Sequence, residues 1–380
     1  MKIIHLSDLH LGKKINEFSL LEDQKFILDR ILTIIQNEDP DAILIAGDVY
    51  DRGTPSTEAV QLLDDFLTRL SHSRGETLLI SGNHDSAERV AFGSKLMTES
   101  GVHIARPFNE KPDKIILTDS FGEVHFHLLP FIKKSDVRSL FPDEEIETVG
   151  DAVRIALREM NVDEKVRNVL VSHLFVDGGH LSDSEDTIGG IDSVAPSLFD
   201  SFDYVALGHL HRPQHVDRET IRYCGTPLKY SLSEVDYDKS VTVVEMGEKG
   251  TPPKIRTVPL VPMRDLRELK GAFESVISRQ LDEGKNPEDF VMVVLTDEED
   301  VLDAHTKLRQ VYPNLIGISY DNTRTRSDST ITGHGTELKD RNPIDLFSEF
   351  FESQNGQPMS PEQRDIVQVT LEKLAEEERQ

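Results

Sequence analysis

The sequence has no tryptophan and one cysteine, Cys224, in 380 residues. A single cysteine excludes an internal disulfide framework and fits a reducing compartment. It sits in the strand-like run Ile221-Arg222-Tyr223-Cys224, where packing is the plainer reading than nucleophilic chemistry. No apolar run approaches the length of a membrane span. The N-terminus enters Lys2-Ile3-Ile4-His5-Leu6 with no basic region, apolar stretch and cleavage site in succession. A cytoplasmic protein without a membrane partner is the expectation. No glycine-rich phosphate loop with its lysine occurs, so any ATP dependence must come from another chain. Positive charge is also scarce: 42 Lys and Arg stand against 69 Asp and Glu, a formal net charge of −27. That balance argues against broad adhesion to nucleic acid or anionic lipid. It does not exclude a phosphate substrate. Two divalent ions among two aspartates would leave a pocket with about two positive charges.

What the chain does contain is a repeated unit. Ala42-Ile43-Leu44-Ile45-Ala46 reads as a buried parallel-type strand, and Gly47-Asp48 follows at its end. Open α/β sheets place ligands there. Lys2 to Ser7 is a first strand that runs into Asp8-Leu9-His10, and Thr77 to Ile80 a third that runs into Gly82-Asn83-His84-Asp85. Helical spacing of Ile27, Leu28, Ile31, Ile34 and Ile35, and of Val60, Leu63, Phe66, Leu67 and Leu70, fills the intervals. A further helix is expected over 87–98. Two later strands end in Ser172-His173 and in Gly208-His209-Leu210-His211. Asp8, His10, Asp48, Asn83, His84, His173, His209 and His211 are thus all strand-end residues. Carboxylate, imidazole and amide oxygen suit a divalent first-row ion. Asp48 has an oxygen for each of two ions, which would share one activated water. With no thiolate in the set, manganese or iron fits best, and zinc remains open. His125 and His127 lie inside a strand instead and read as sheet residues. Asp85 reads as a helix cap.

The ordered set Asp8-x-His10, Gly47-Asp48-x-x-Asp51-Arg52, Gly82-Asn83-His84-Asp85, Ser172-His173 and Gly208-His209-x-His211 resembles the five motifs of the calcineurin-like metallophosphoesterases. The runs 202–214 and 223–228 are similar to the SbcD-type nuclease branch of that family. The resemblance implies an α/β fold: a metallophosphoesterase sandwich of two mixed β-sheets flanked by helices, with a small α/β cap domain and C-terminal helices. It implies that Asp8, His10, Asp48 and His211 hold one ion, and Asp48, Asn83, His173 and His209 the other. His84 would act beside the scissile phosphate, with Asp51 orienting it by a hydrogen bond. It further implies a DNA substrate, exonuclease and hairpin endonuclease activity, an SbcC-type ATPase partner and a homodimer built on the helices at 56–70 and 87–98.

The expected domains are 1–260 for the nuclease, 261–321 for the cap, 322–341 for a polar linker and 342–380 for a helical partner-binding segment. In that last segment Ile344, Phe347, Phe350 and Phe351 make an apolar stripe, and Ser360 and Gln363 can form a capping box. Arg52 could grip phosphate or pair with an acid. Lys13-Lys14, Lys133-Lys134 and Arg324/Arg326 read as solvated charge before DNA contacts. Two other readings stay open: a phosphoprotein phosphatase, from the 47–53 motif, and a DNA-holding scaffold that does not cut.

Overall fold

The computed structural model describes residues 1–182, 185, 193–323, 325, 343–355, 357–361, 363–364, 366–368 and 370. The chain forms two compact units, Met1–Asp265 and Leu266–Gln380.

The first unit holds two six-stranded sheets. In one, Lys2–Leu6 pairs in parallel with Ala42–Ala46, which pairs in parallel with Glu76–Ile80. Ser240–Glu245 closes the other side of Lys2–Leu6 in antiparallel register. In the second sheet Gly122–Leu129, Arg167–His173, Tyr204–Gly208 and Arg218–Tyr223 run parallel as neighbours. Side chains alternate between faces along each strand. Ile3, Leu44, Leu78, Phe126, Val171 and Ala206 therefore meet in one core between the sheets. Leu170, Val205, Leu207 and Ile221 face the other way and pack with Val137 and Val153 of the helices Lys134–Leu140 and Val149–Glu159. Helix Leu21–Glu38 buries Ile27, Leu28, Ile31 and Ile35, as the spacing predicts. Helix Thr57–Leu70 starts on Ser56, whose side chain accepts the N–H of Ala59.

The central strands all deliver their C-terminal ends to one edge of the sandwich. That placement follows from parallel pairing, since each strand must be re-entered from the same side.

Several elements differ from the sequence reading. The expected helix over 87–98 is broken into Ala87–Val90 and Ser94–Met97. Gly93 lies between them at φ 75°, a left-handed conformation that ends the first turn. Lys134–Leu140 is a helix that its short apolar pattern did not reveal. Leu266–Gly271 is a strand that the sequence reading did not assign, and it pairs in parallel with Phe290–Leu295, which pairs with Leu315–Tyr320. This three-stranded sheet is the body of the second unit. Its core gathers Leu269, Phe273, Val276, Val293, Leu308 and Tyr312. The spacing suggests helices over 272–281 and 301–312; the observed ones are shorter, Phe273–Ile277 and Ala304–Arg309. Left-handed Arg279 and Asp303, at φ 60° and 55°, bound them. Arg267 bridges Asp289 at 2.8 Å and Asp282 at 3.3 Å, holding the loop between the first two strands of that sheet.

Most of the 322–341 stretch lies outside the described residues, as does much of the acidic loop at 177–190 and the end of the chain after 370. Helix Pro343–Asn355 is described. Ser360 and Gln363 exchange both capping-box bonds, at 2.8 and 3.3 Å.

Candidate metal centre

The site is built where the strand ends meet. Asp8, His10 and Asp48 take φ values of 53°, 44° and 48°, and His209 takes 105°. Non-glycine residues are uncommon there, and such strain collects at functional positions. Main-chain bonds hold the turns: Asp8 donates to the Gly47 carbonyl at 3.0 Å, and His10 to that of Asp48 at 2.9 Å. The motif glycines are spaces. A Cβ on Gly208 would lie 1.8 Å from the Ala46 carbonyl oxygen and 2.7 Å from Nδ1 of His173. A Cβ on Gly47 would lie 2.3 Å from the same nitrogen.

All eight strand-end residues come together. Asp8, His10 and His211 form one cluster of ligand atoms, Asp8, Asp48 and His173 a second, and His10, Asp48 and His84 a third. Asn83 Oδ1 joins the second cluster to His209, lying 2.9 Å from His173 Nε2 and 3.1 Å from His209 Nδ1. The Asp8 carboxylate also accepts the N–H of His209.

The donor set fits cations for a reason internal to the site. His173 donates Nδ1–H to the Ala46 carbonyl at 2.9 Å. Its Nε2 then faces Asn83 Oδ1 and, at 3.3 Å, Asp48 Oδ2. Lone pairs on all three atoms repel unless a positive charge lies among them. In the protein alone that charge is a proton. Burial works against it, but Asp48 and Asp8 outweigh burial and raise His173 to about 9. Nε2 atoms of His10 and His211 likewise approach to 3.2 Å. Burial lowers His10 well below its ordinary value, with Asp48 opposing. Burial lowers His209 to about 3. For the carboxyls, burial raises Asp8 to about 6 against the pull of His173, while at Asp48 the His173 charge and hydrogen bond overcome burial and hold it low. A bound divalent ion would replace the proton and favour every deprotonated ligand.

Asp51 reaches His84 through its main chain. His84 donates Nδ1–H to the main-chain carbonyl of Asp51 at 3.1 Å, so the carboxylate does not make that bond. The carboxylate instead pairs with Lys13 at 2.9 Å and lies 4.0 Å from Nδ1 of His10. Arg52 lies 3.6 Å from Asp51 with its side chain 83% exposed, so it is no buried counter-ion.

Other residues have roles that the motifs did not show. Asp85 is not a cap: its carboxylate accepts the N–H groups of Val49 at 3.0 Å, Tyr50 at 2.9 Å and Gly82 at 2.9 Å. It staples the Asp48 loop to the Asn83 loop. Gln24 donates to the His10 carbonyl at 2.7 Å, and Tyr230 to that of Leu9 at 2.6 Å. Glu234 accepts from Nδ1 of His211 at 3.0 Å. His125 and His127 do lie within the strand Gly122–Leu129, paired with Glu123 and Asn168.

With this geometry in place, comparison with known proteins decides the family. Residues 1–213 match the calcineurin-like phosphoesterase family. Residues 262–355 match the family described as type 5 capsule protein repressor C-terminal domain. The SbcD subunit of the SbcCD nuclease from Staphylococcus epidermidis is 35% identical over 386 residues, covering 100% of both chains. Its counterpart from Staphylococcus saprophyticus subsp. saprophyticus is also 35% identical, covering 99% of each. The chain belongs to the SbcD nuclease family. It is a metal-dependent phosphodiesterase of the nuclease class, and its fold is the calcineurin-like sandwich. A solved dimetal phosphatase from Danio rerio covers 68% of this chain and 98% of its own at 12% identity and a TM-score of 0.35, too distant to add to the argument. In this SbcD-type chain, no described helix is long and apolar enough to cross a membrane.

Proposed function

We propose that this chain cuts DNA as the nuclease subunit of an SbcCD-type repair complex, acting on double-strand ends and on hairpin or single-stranded segments. The carrying observation is the pocket in which His173 Nε2 and two oxygens point at one another with room only for positive charge. Asp8, His10, Asp48 and His211 would hold one divalent ion, and Asp48, Asn83, His173 and His209 the other, with manganese as the working metal. When bound, such a pair neutralises phosphate oxygens and lowers the pKa of the attacking water. The chain's own contribution is positional. Asp85 locks the loops that carry Asp48 and Asn83. His84, with Nδ1–H committed to the Asp51 carbonyl, keeps Nε2 for the substrate and serves as acid to the leaving oxygen. Asp51 acts through its main chain there and through Lys13.

The ATPase partner of the complex would dock on the C-terminal helices. Phe347 and Phe350 of helix Pro343–Asn355 are 40% and 58% exposed, which suits an apolar stripe that meets another chain. A homodimer is proposed from the exposed Phe92 and Leu96, with Leu96 and Met97 lining one groove beside Leu67 of helix Thr57–Leu70. A monomer by light scattering at micromolar concentration would remove that part. The complex would work in the cytoplasm.

End-labelled duplex and hairpin DNA, incubated with manganese and with the ATPase subunit, provides the test. His84→Gln should abolish cleavage while manganese binding persists. Undiminished cleavage refutes the assignment. Turnover of a phosphopeptide above that of DNA would favour a phosphatase, and binding without cutting under any metal would favour a scaffold.

A further inference from the structure

The two sides of the site are supported differently. His173 leans on a neutral group, the Ala46 carbonyl. His211 leans on a charge. Glu234 is fully buried, and its Oε1 accepts from His211 Nδ1 at 3.0 Å. Its Oε2 is held by Lys239 Nζ at 2.5 Å. That lysine, itself buried, spends its other protons on Thr226 Oγ1 at 2.6 Å and on the His211 carbonyl at 3.0 Å. Burying an ion pair is costly, and an apolar pair of similar size would serve packing as well. Here it stands directly behind an imidazole whose Nε2 faces the cluster of Asp8 and His10. A carboxylate behind an imidazole fixes the tautomer and makes the far nitrogen a stronger donor to a metal.

We propose that Glu234, balanced by Lys239, is a positioning residue: it accepts the Nδ1–H of His211, aims Nε2 at the cation held with Asp8 and His10, and so strengthens the hold on that cation. This rests on the two-cation reading of the site. The sequence hides it, because Glu234 lies 23 positions beyond His211 in a short helical turn, Leu232–Glu234, that carries no motif.

Manganese titration of chelator-stripped protein tests it, read beside metal-free thermal unfolding. The unaltered chain should take up two ions. Glu234→Gln should weaken one of them about 10- to 100-fold and leave the other within about threefold. Because Glu234→Gln strands a buried lysine and can unfold the chain for that reason alone, a second variant combines it with Lys239→Gln. Recovery of metal-free stability in that double variant, with the weak ion still weak, supports the proposal. Recovery of affinity together with stability overturns it, since Glu234 would then be a structural counter-ion only. Two unchanged affinities in a folded Glu234→Gln also overturn it. Uptake of fewer than two ions by the unaltered chain overturns the site reading first and this proposal with it.

Discussion

Replacing Asp85 tests whether the site depends on its loops being tied together. The carboxylate holds three main-chain N–H groups from two loops: Val49 and Gly82 on one oxygen, Tyr50 on the other. Hydrogen bonds to a charged acceptor contribute about 1.5–3 kcal/mol each, and an orphaned buried donor costs about 1–3 kcal/mol. Asp85→Asn can turn its amide oxygen towards Val49 and Gly82 and loses only the Tyr50 bond. The expected cost is about 1–3 kcal/mol. Asp85→Ala releases all three donors, and water entering the gap recovers part of the loss, so about 3–6 kcal/mol is expected. At about 2–4 °C per kcal/mol for a unit of this size, the Asn variant should melt roughly 5 °C lower and the Ala variant roughly 15 °C lower. Activity should fall further than stability. The staple sets the distance between Asp48 and Asn83, and a misplacement of about 1 Å costs on the order of a hundredfold in rate. Thermal unfolding and manganese-dependent cleavage of end-labelled duplex DNA, both on the full chain, read the two effects. Asp85→Ala that melts like the unaltered chain and cuts within threefold of it would refute the reasoning.

Other expectations follow from the same geometry. Gly208→Ala puts a methyl group against the Ala46 carbonyl and His173, breaking the bond that fixes the His173 tautomer; a loss of about 2–4 kcal/mol in urea unfolding is expected, with weakened manganese binding. His127 is lowered to about 4, by burial first and Lys114 next, against its bond to Asn168. Its unfolded form takes a proton near pH 6.5 while the folded form does not. The stability of the neutral ring is therefore complete above pH 6.5 and lost on acidification towards pH 4. Between pH 7 and 5 that amounts to about 2 kcal/mol. His127→Gln should remove this much of the slope in urea unfolding measured with a chelator present; an unchanged slope would count against it.

How much of this could be read from the chain alone depended on the kind of signal. Residues at the ends of apolar strands, such as Asp48 and His173, were legible because parallel strands must all end on one side. The broken helix was legible in principle, since Gly93 sits at the break. Leu266–Gly271 was not: its sequence mixes Arg267, Glu268 and Lys270 with two leucines, and nothing local marks it as a strand paired with Phe290–Leu295. Glu234, Lys239 and Gln24 were not legible either. Charged and amide side chains are mostly solvated, and only the tertiary fold buries these three. Asp51 was legible only as a residue, because a motif reports which residue is present and not whether its side chain or its carbonyl makes the bond to His84.

The central claim is that Asp8, His10, Asp48, Asn83, His173, His209 and His211 converge to hold a pair of cations. Crystals grown with manganese and measured at its absorption edge test it directly. Two anomalous peaks are predicted, one among Asp8, His10 and His211 and one among Asn83, His173 and His209, with Asp48 between them. A single peak, or a pair placed elsewhere on the chain, would contradict the account.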